Sequence, residues 1–106
     1  EYNITVDPNS NDADLWIKGV DLGGTGTTTF EKSYKIVVSN VTWCKVNNYN
    51  TCQSDNNRVG HNYKLIQADV PSGSTITTYY WIDVPKGILA QRYAGNLTIM
   101  GNASST

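Results

Sequence analysis

A strict two-residue alternation in the last third of the chain limits the fold more than any other feature. Between positions 75 and 84 one phase is bulky and, with one exception, apolar: Ile76, Thr78, Tyr80, Ile82 and Val84. The other phase is mostly wettable: Thr75, Thr77, Tyr79, Trp81 and Asp83. A period of two is that of a β-strand with one buried face. The strand must end at the corner that follows, because Pro85 cannot donate to a ladder and Gly87 tolerates positive φ.

The alternation resumes beyond this corner, over positions 93 to 100. The expected inward residues are Tyr93, Gly95, Leu97 and Ile99, and the expected outward residues are Ala94, Asn96, Thr98 and Met100. Each segment thus has one face for a core and one face for water. This pattern predicts an antiparallel strand pair rather than a helix.

Shorter apolar segments at roughly ten-residue spacing extend this pattern to the whole chain. Further strands are predicted over residues 2–6, 15–20, 29–39, 41–46 and 63–67, with Tyr34, Ile36 and Val38 inward in the third of these. A Gly-rich turn is predicted over 21–28 and an Asn-rich loop over 47–60. Residues 1–106 are therefore predicted to form one all-β domain, an antiparallel sandwich of about seven strands, with a tail over 101–106.

The run from Leu65 to Ile99 resembles the closing strands of immunoglobulin-like modules in prokaryotic, often archaeal, cell-surface proteins. There a P-x-G-S/E-x-T turn precedes a strand ending in V-P-x-G, and an A-G-x-Y-x-G-x-L/I-T-I strand closes the domain. The residues that carry the pattern here are Pro71, Gly73, Ser74, Val84, Pro85, Gly87, Tyr93, Gly95, Thr98 and Ile99. Gln91 and Arg92 depart from it, since the pattern has a glycine before the tyrosine. The upstream segment YKIVVSNVTW is similar to a K-x-x-V-x-N-x-T strand of such modules. The resemblance implies that the sandwich of about seven strands is an immunoglobulin-like antiparallel β-sandwich. It also implies a place in adhesins, surface layers, filaments or accessory domains of enzymes.

Charge and motifs argue against several classes of function. A net charge of −1 provides no basic surface for nucleic acid, and no segment has the apolar length of a membrane span. The single histidine, His61, lies in a predicted loop without a neighbouring nucleophile. No G-x-S-x-G elbow is present, and the Gly-rich segment lacks the lysine of a phosphate-binding loop. We therefore predict a non-enzymatic chain with no catalytic residue and no cofactor.

The two cysteines, Cys44 and Cys52, have seven residues between them. A disulfide closing so short a loop stabilises a fold by about 2–3 kcal/mol in the chain-entropy model. Such bonds persist in oxidising compartments, and the spacing matches neither a CxxC redox pair nor a zinc pair. The alternative is a pair of unbonded buried thiols.

Four N-x-S/T triplets match the acceptor pattern for N-linked glycans. They begin at Asn3, Asn40, Asn96 and Asn102. An Asn- and Thr-rich chain produces such triplets by chance, so strand phase is the better guide. Asn3 and Asn96 lie in outward phases, while Asn40 and Asn102 fall at predicted strand ends. We expect an extracellular or cell-surface protein that carries N-linked glycans.

An acidic connector could hold a cation. Its oxygen-bearing side chains are Asp7, Asn9, Asn11, Asp12 and Asp14, and closely spaced oxygens are what calcium prefers. The connector is not an EF-hand, because Asp12 replaces the turn glycine and Lys18 stands where the bidentate glutamate belongs. A solvated turn has the same composition, so calcium is the minor interpretation.

Three aromatic residues are expected to face away from the core: Trp16, Tyr79 and Trp81. In a carbohydrate-binding module such rings stack on sugars, whereas in a structural subunit they are buried against a neighbouring subunit. A third interpretation is that the phase differs or that loops cover the rings.

The N-terminal segment, residues 1–7, carries an apolar row of Tyr2, Ile4 and Val6 before the polar connector of residues 8–14. The row predicts either an ordinary first strand or a strand donated to a neighbouring subunit. We favour a homopolymeric structural subunit of a pilus-like filament or surface layer, which associates through β-strand contacts. The alternatives are a carbohydrate-binding module and a spacer domain of a larger adhesin.

Overall fold

The computed structural model describes residues 1–104, in which β-strand is the main secondary structure. Nine strands are present: β1 Tyr2–Thr5, β2 Ala13–Gly19, β3 Leu22–Gly24, β4 Lys35–Ile36, β5 Val41–Cys44, β6 Lys64–Val70, β7 Thr75–Ile82, β8 Tyr93–Ala94 and β9 Leu97–Ala103. One short helix, α1, spans Thr29–Lys32, and 3₁₀ turns span Val38–Asn40, Tyr49–Thr51 and Asp55–Asn57. Within these residues no helix is long and apolar enough to cross a membrane.

All strand pairs are antiparallel and form three three-stranded sheets. The strand orders are β1-β7-β5, β6-β2-β9 and β4-β3-β8. The all-β prediction is confirmed, although the described residues hold nine strands in three sheets rather than about seven. The predicted C-terminal tail is strand as far as Ala103, and residues 105–106 of that tail lie outside the described residues.

The first two sheets share one apolar core. The predicted alternation holds in β2. Leu15 and Ile17 are buried, while the alternate residues Trp16 and Lys18 are half-buried. The other buried members of this core are Val6, Val38, Val41, Trp43, Val59, Ile66 and Val70. Residues from three strands, β2, β5 and β6, and from the intervening turns and loops thus contribute to a single cluster.

Thr78, at the middle of β7, is the only buried polar side chain among the described residues. Its hydroxyl lies 3.1 Å from the carbonyl oxygen of Tyr2 and 2.9 Å from the phenol oxygen of Tyr80. These partners offset the cost of removing the hydroxyl from water. Burial of the Tyr80 ring raises the pKa of its phenol, against the opposing effect of the Thr78 hydrogen bond.

The predicted strand over residues 29–39 is wrong. Thr28 and Glu31 instead form a capping box that begins α1: Glu31 N donates to Thr28 Oγ1 at 3.1 Å, and Thr28 N donates to Glu31 Oε1 at 3.0 Å. The Thr-x-x-Glu spacing is the sequence signature of this cap. Ile36 and Val38 are buried as predicted, but from β4 and a 3₁₀ turn rather than from one long strand.

The Gly-rich segment is likewise more than a flexible turn. It contains β3, the central strand of the third sheet. A Cβ at Gly24 would overlap the Gln91 side chain, which donates to the carbonyl oxygen of Glu31 at 2.7 Å and accepts from Gly26 N at 3.0 Å. The glycines therefore allow a close approach, and Gln91 joins the third sheet to α1.

The predicted disulfide is confirmed. Cys44, at the end of β5, is bonded to Cys52, and their Cα atoms lie 5.8 Å apart. Both residues are buried, and the described residues include no free cysteine. The bond holds the Asn-rich loop, with its 3₁₀ turn at Tyr49–Thr51, against the end of β5.

Asp21 joins three separate segments. Its carboxylate accepts a hydrogen bond from Val38 N at 2.9 Å, and it lies 3.1 Å from His61 Nε2 and 3.7 Å from Lys35 Nζ. The Val38 hydrogen bond, followed by the charges of His61 and Lys35, lowers the pKa of the Asp21 carboxyl, while partial burial opposes the shift. The charged carboxylate is thus favoured by the folded state.

We expect Asp21→Asn to lower the melting temperature near neutral pH and to have progressively less effect in acid. Because the pKa of Asp21 is lower in the folded than in the unfolded chain, its contribution is complete above the unfolded value of about 4 and is lost as the pH falls through the folded value. Thermal melts of both proteins between about pH 7 and pH 2 measure the difference. Asp83→Asn removes an equal charge from an exposed position and is the control. A difference in melting temperature between Asp21→Asn and the unsubstituted protein that does not change with pH would contradict this account.

Candidate interaction site

One flank of the molecule has an apolar cleft that no other part of the described chain fills. It consists of three adjoining depressions of about 440, 190 and 500 Å³, which share Tyr80 and Leu97 at one junction and Leu22 and Ile82 at the other. We call this the lateral cleft, and define it by Tyr2, Val20, Leu22, Tyr80, Ile82 and Leu97. Ile99 continues it at the β1 end, and Val84 and Leu89 continue it at the other.

The lateral cleft is where the predicted burial fails. Ile82, Val84 and Leu97 were all expected to face a core, yet they are 52%, 57% and 40% exposed. Thr78, in the same phase of β7, is fully buried. Ile82 and Leu97 line the cleft together with Tyr80, on the expected side of their strands, but no part of residues 1–104 buries them. Val84 lies beyond the end of β7.

The main chain of β7 is also incomplete beside the cleft. β1 pairs with Thr75 to Thr78 and β5 pairs with Tyr79 to Ile82. Ser74 O accepts from Val6 N on the β1 side, while Asp83 N donates to Asn40 O on the β5 side. The main-chain N–H and C=O groups of even-numbered residues of β7 therefore point toward β1, and those of odd-numbered residues point toward β5.

It follows that the main-chain groups of Tyr80 and Ile82 point to the β1 side, beyond the point where β1 ends. No other strand of residues 1–104 pairs with β7 there. We call these groups the open edge of β7. An unpaired edge beside an apolar cleft has the chemistry of a strand acceptor, because an added strand satisfies the edge with its main chain and the cleft with alternate side chains.

The predicted donor, β1, is paired within its own chain in this structure. Tyr2 lies opposite Thr78 and Thr5 lies opposite Thr75. The row of Tyr2, Ile4 and Val6 becomes more buried along the strand: Tyr2 is 56% exposed, Ile4 is half-buried, and Val6 is 6% exposed. The segment therefore occupies the first half of the β7 edge, and the open edge continues directly from it.

The predicted outward aromatic residues do not form one surface. Trp16 lies on the β6-β2-β9 sheet, where its Nε1 donates to Asn102 Oδ1 at 2.8 Å. Tyr79 and Trp81 lie on β7, in the other sheet, and are half-buried. The disulfide loop partly covers Trp81, because the Tyr49 ring packs edge-to-face against it with 5.7 Å between ring centroids.

Trp81 and Tyr49 border a second depression, of about 250 Å³. Its remaining lining residues are Thr42, Ile82 and Asp83, and we call it the aromatic pocket. Sequence analysis missed the contribution of Tyr49, because nothing in a loop without periodicity indicates where its side chains will lie. Leu22 was missed because it lies in the Gly-rich segment that was predicted to be a turn, and it belongs instead to β3.

All four predicted glycan acceptors are accessible. Asn3, Asn96 and Asn102 are exposed and Asn40 is half-exposed. Asn3 Oδ1 accepts from Thr77 Oγ1 at 2.8 Å, and Asn40 Nδ2 donates to Asp83 O at 3.0 Å. Asn96 lies at the rim of the lateral cleft.

The acidic connector uses its carboxylates to fix turns. Asp7, Asp12 and Asp14 each accept a main-chain hydrogen bond of 2.8–3.0 Å, from Asn9, Ser72 and Asp69 respectively. Asn9 and Asn11, the amide ligands of the predicted calcium site, are exposed. Among residues 1–104 no group of three or more His, Cys, Asp or Glu side chains is placed to hold a metal ion. Calcium binding stays a prediction.

No protein-family model, curated protein or solved structure matches this chain. The lateral cleft, the open edge of β7 and the aromatic pocket are the features that bear on function.

We expect the cleft to contribute little to the stability of a single chain. Leu97→Ala should cost no more than about 1 kcal/mol, because the side chain is already partly in water. Leu15→Ala, on the adjacent strand and 4% exposed, should cost about 2–5 kcal/mol by creating a cavity. Urea unfolding of dilute, monomeric samples measures both values. Equal costs would show that the cleft is part of the core.

Proposed function

We propose that this protein is a non-enzymatic structural subunit of an extracellular assembly, a pilus-like filament or surface layer, whose copies are joined by β-strand addition. The observation that carries the proposal is the lateral cleft beside the open edge of β7. A monomer gains nothing from leaving apolar side chains such as Ile82 and Leu97 in water. A neighbouring strand would remove them from water and pair the main chain at the same time.

We assign the domain to the immunoglobulin-like β-sandwich class. Two observations support this assignment: the β1-β7-β5 and β6-β2-β9 sheets contribute to one core, and the closing strands resemble those of surface modules. In such a sandwich the lateral cleft is the gap between the β7 and β9 flanks. A single added strand is the element that would close it.

The donated strand in this proposal is residues 1–7 of a neighbouring copy. Its apolar residues, Tyr2, Ile4 and Val6, recur with the period of two that the cleft requires. Seven extended residues span about 20 Å or slightly more, which is enough to reach into an adjacent domain. The contact is head-to-tail, so it propagates as a filament instead of closing as a dimer.

Exchange is favoured because a donated strand has freedom that the intramolecular strand lacks. In its own chain the segment is held in register by hydrogen bonds from Val6 N to Ser74 O and from Gly73 N to Val6 O. The connector that follows ties it to that position. A segment from another copy is not tied in this way and can lie farther along β7, over Tyr80 and Ile82.

The disulfide and the four acceptor triplets support an extracellular location for the assembly. Glycans at exposed positions such as Asn3 and Asn96 would also limit uncontrolled pairing of sheet edges.

A second candidate function is carbohydrate binding. The aromatic pocket supports it, since Trp81 and Tyr49 offer ring faces and edges beside the Asp83 carboxylate. Quenching of tryptophan fluorescence by added oligosaccharide, without any dependence on protein concentration, would favour this candidate. The spacer-domain alternative predicts neither sugar binding nor self-association.

Deletion of residues 1–7 is expected to abolish polymer formation, because it removes the donor and leaves the acceptor. Electron microscopy and sedimentation of concentrated protein measure the outcome. Adding a synthetic peptide of residues 1–7 to the truncated protein should fill the cleft and raise its melting temperature. Normal filaments from the truncated protein, or a stable full-length monomer at high concentration, would refute strand donation.

Leu97→Lys is expected to block assembly, because it places a charge where an apolar strand must lie. Leu65→Lys on β6 is the matched control, since the two leucines are 40% and 43% exposed. Both variants should remain folded as monomers by circular dichroism. If Leu97→Lys polymerises as well as the control does, the lateral cleft is not the acceptor.

At least two of Asn3, Asn40, Asn96 and Asn102 are expected to carry glycans in the native protein, with Asn3 and Asn96 the foremost candidates. Intact mass before and after deglycosylation measures their occupancy. A native mass equal to the 11.7 kDa of the polypeptide would contradict the prediction.

A further inference from the structure

One acceptor triplet lies beside the aromatic pocket. The register of β5 and β7 places Thr42 directly opposite Trp81, and Asp83 N donates to Asn40 O at 2.9 Å. Val41, the first residue of β5, is buried, so Thr42 beside it faces outward with Trp81. Asn40 ends the preceding 3₁₀ turn, and its side chain is directed to the exposed Asp83. The acceptor asparagine, the hydroxyl residue of its triplet and the indole ring therefore share one face.

Asn40 is held in place at the end of this strand pair. Its main-chain N–H donates to Val37 O at 3.0 Å, so this N–H is not directed at Asp83, although the carbonyl oxygen of Asn40 accepts from Asp83 N. The side-chain Nδ2 donates to Asp83 O at 3.0 Å instead. A primary amide has two N–H hydrogens and glycosylation replaces one of them, so this hydrogen bond can persist after modification.

The distances suit contact between a sugar on Asn40 and the Trp81 ring. Diagonal neighbours on an antiparallel pair lie about 7–8 Å apart, within reach of long side chains, and a sugar extends the asparagine further. The aromatic pocket, of about 250 Å³, has room for one pyranose ring. Thr42 and Asp83 offer hydrogen-bonding groups for sugar hydroxyls, and the Tyr49 ring forms a side wall.

We propose that Asn40 carries an N-linked glycan whose first sugar lies on Trp81 in the aromatic pocket, an inference that rests on the glycosylated character proposed above. The donor is a lipid-linked oligosaccharide phosphate. The bond from its anomeric carbon to the phosphate oxygen breaks, a bond from that carbon to Asn40 Nδ2 forms, the amide proton is lost to a base, and the lipid phosphate leaves. The glycan then covers the Trp81 surface that would otherwise be offered to a free saccharide or a neighbouring subunit.

The test combines peptide mapping of native protein with hydroxyl-radical footprinting, which reports oxidation residue by residue. Mapping should find a glycan on Asn40. Oxidation of Trp81 should rise several-fold when the glycan is removed enzymatically, and also in Thr42→Ala, which destroys the triplet. Thr42→Ser keeps the triplet and should protect Trp81 as the native protein does. Trp16, on the other sheet, is the internal control for the Thr42 variants, which leave the triplet of its partner Asn102 intact, and its oxidation should not change between them.

Protein made in a host without N-glycosylation separates the glycan from the side-chain change. There Thr42→Ala and the unsubstituted chain should show equal Trp81 oxidation. An occupied Asn40 with no change at Trp81 overturns the stacking, and so does protection of Trp81 that depends on protein concentration or on added saccharide. An unmodified Asn40 overturns the whole inference. If Asn40 is unmodified but Asn3 or Asn96 carries a glycan, the proposal that the protein is glycosylated still holds. If all four acceptors are unmodified, that proposal and the inference about Asn40 are both refuted.

Discussion

The pairing of β7 is the constraint on which the rest of the structure depends. Its first half is completed by β1 on one edge and its second half by β5 on the other. The buried Thr78 marks the change, and its hydroxyl contacts both Tyr2 and Tyr80. Each half thus has one paired edge and one edge without a strand partner among residues 1–104, and the unpaired edge of the second half lies beside the lateral cleft. At this place apolar side chains are exposed and main-chain groups have no strand partner. One further strand would bury the side chains and pair the main chain.

Sequence alone predicted β2 and β7 well because their periodicity is a direct consequence of one-sided burial. The single strand predicted over residues 93–100 is wrong, because β8 and β9 divide it between two sheets and neither pairs with β7. Leu15 and Ile17 in β2 and Thr78 in β7 are buried as expected, and Cys44 is bonded to Cys52. Prediction failed over residues 29–39, where three apolar residues at even spacing imitate a strand although a capping box begins a helix. A two-residue period is compatible with one continuous strand. It is equally compatible with a helix end that is followed by a short strand and a 3₁₀ turn.

The candidate site was predictable only in part. Periodicity indicates which way a side chain points, but not whether anything lies opposite it. Ile82 and Leu97 therefore belonged to the correct phase and still proved exposed. The aromatic pocket depends on the position of Tyr49, which the disulfide sets by holding a loop without periodicity against β5. Contacts made by loops and by absent partners leave no periodic signal in the sequence.

An open β edge is normally a hazard, since any exposed strand can pair with it. In this protein the open edge of β7 lies beside Asn96, at the rim of the lateral cleft, and β1 carries Asn3 on its outer face. Glycans at these two positions would exclude the broad approach of another sheet while leaving a channel wide enough for one extended chain. Selectivity for a single strand over a sheet edge would then come from bulk at the rim, and the apolar cleft would have to supply only affinity.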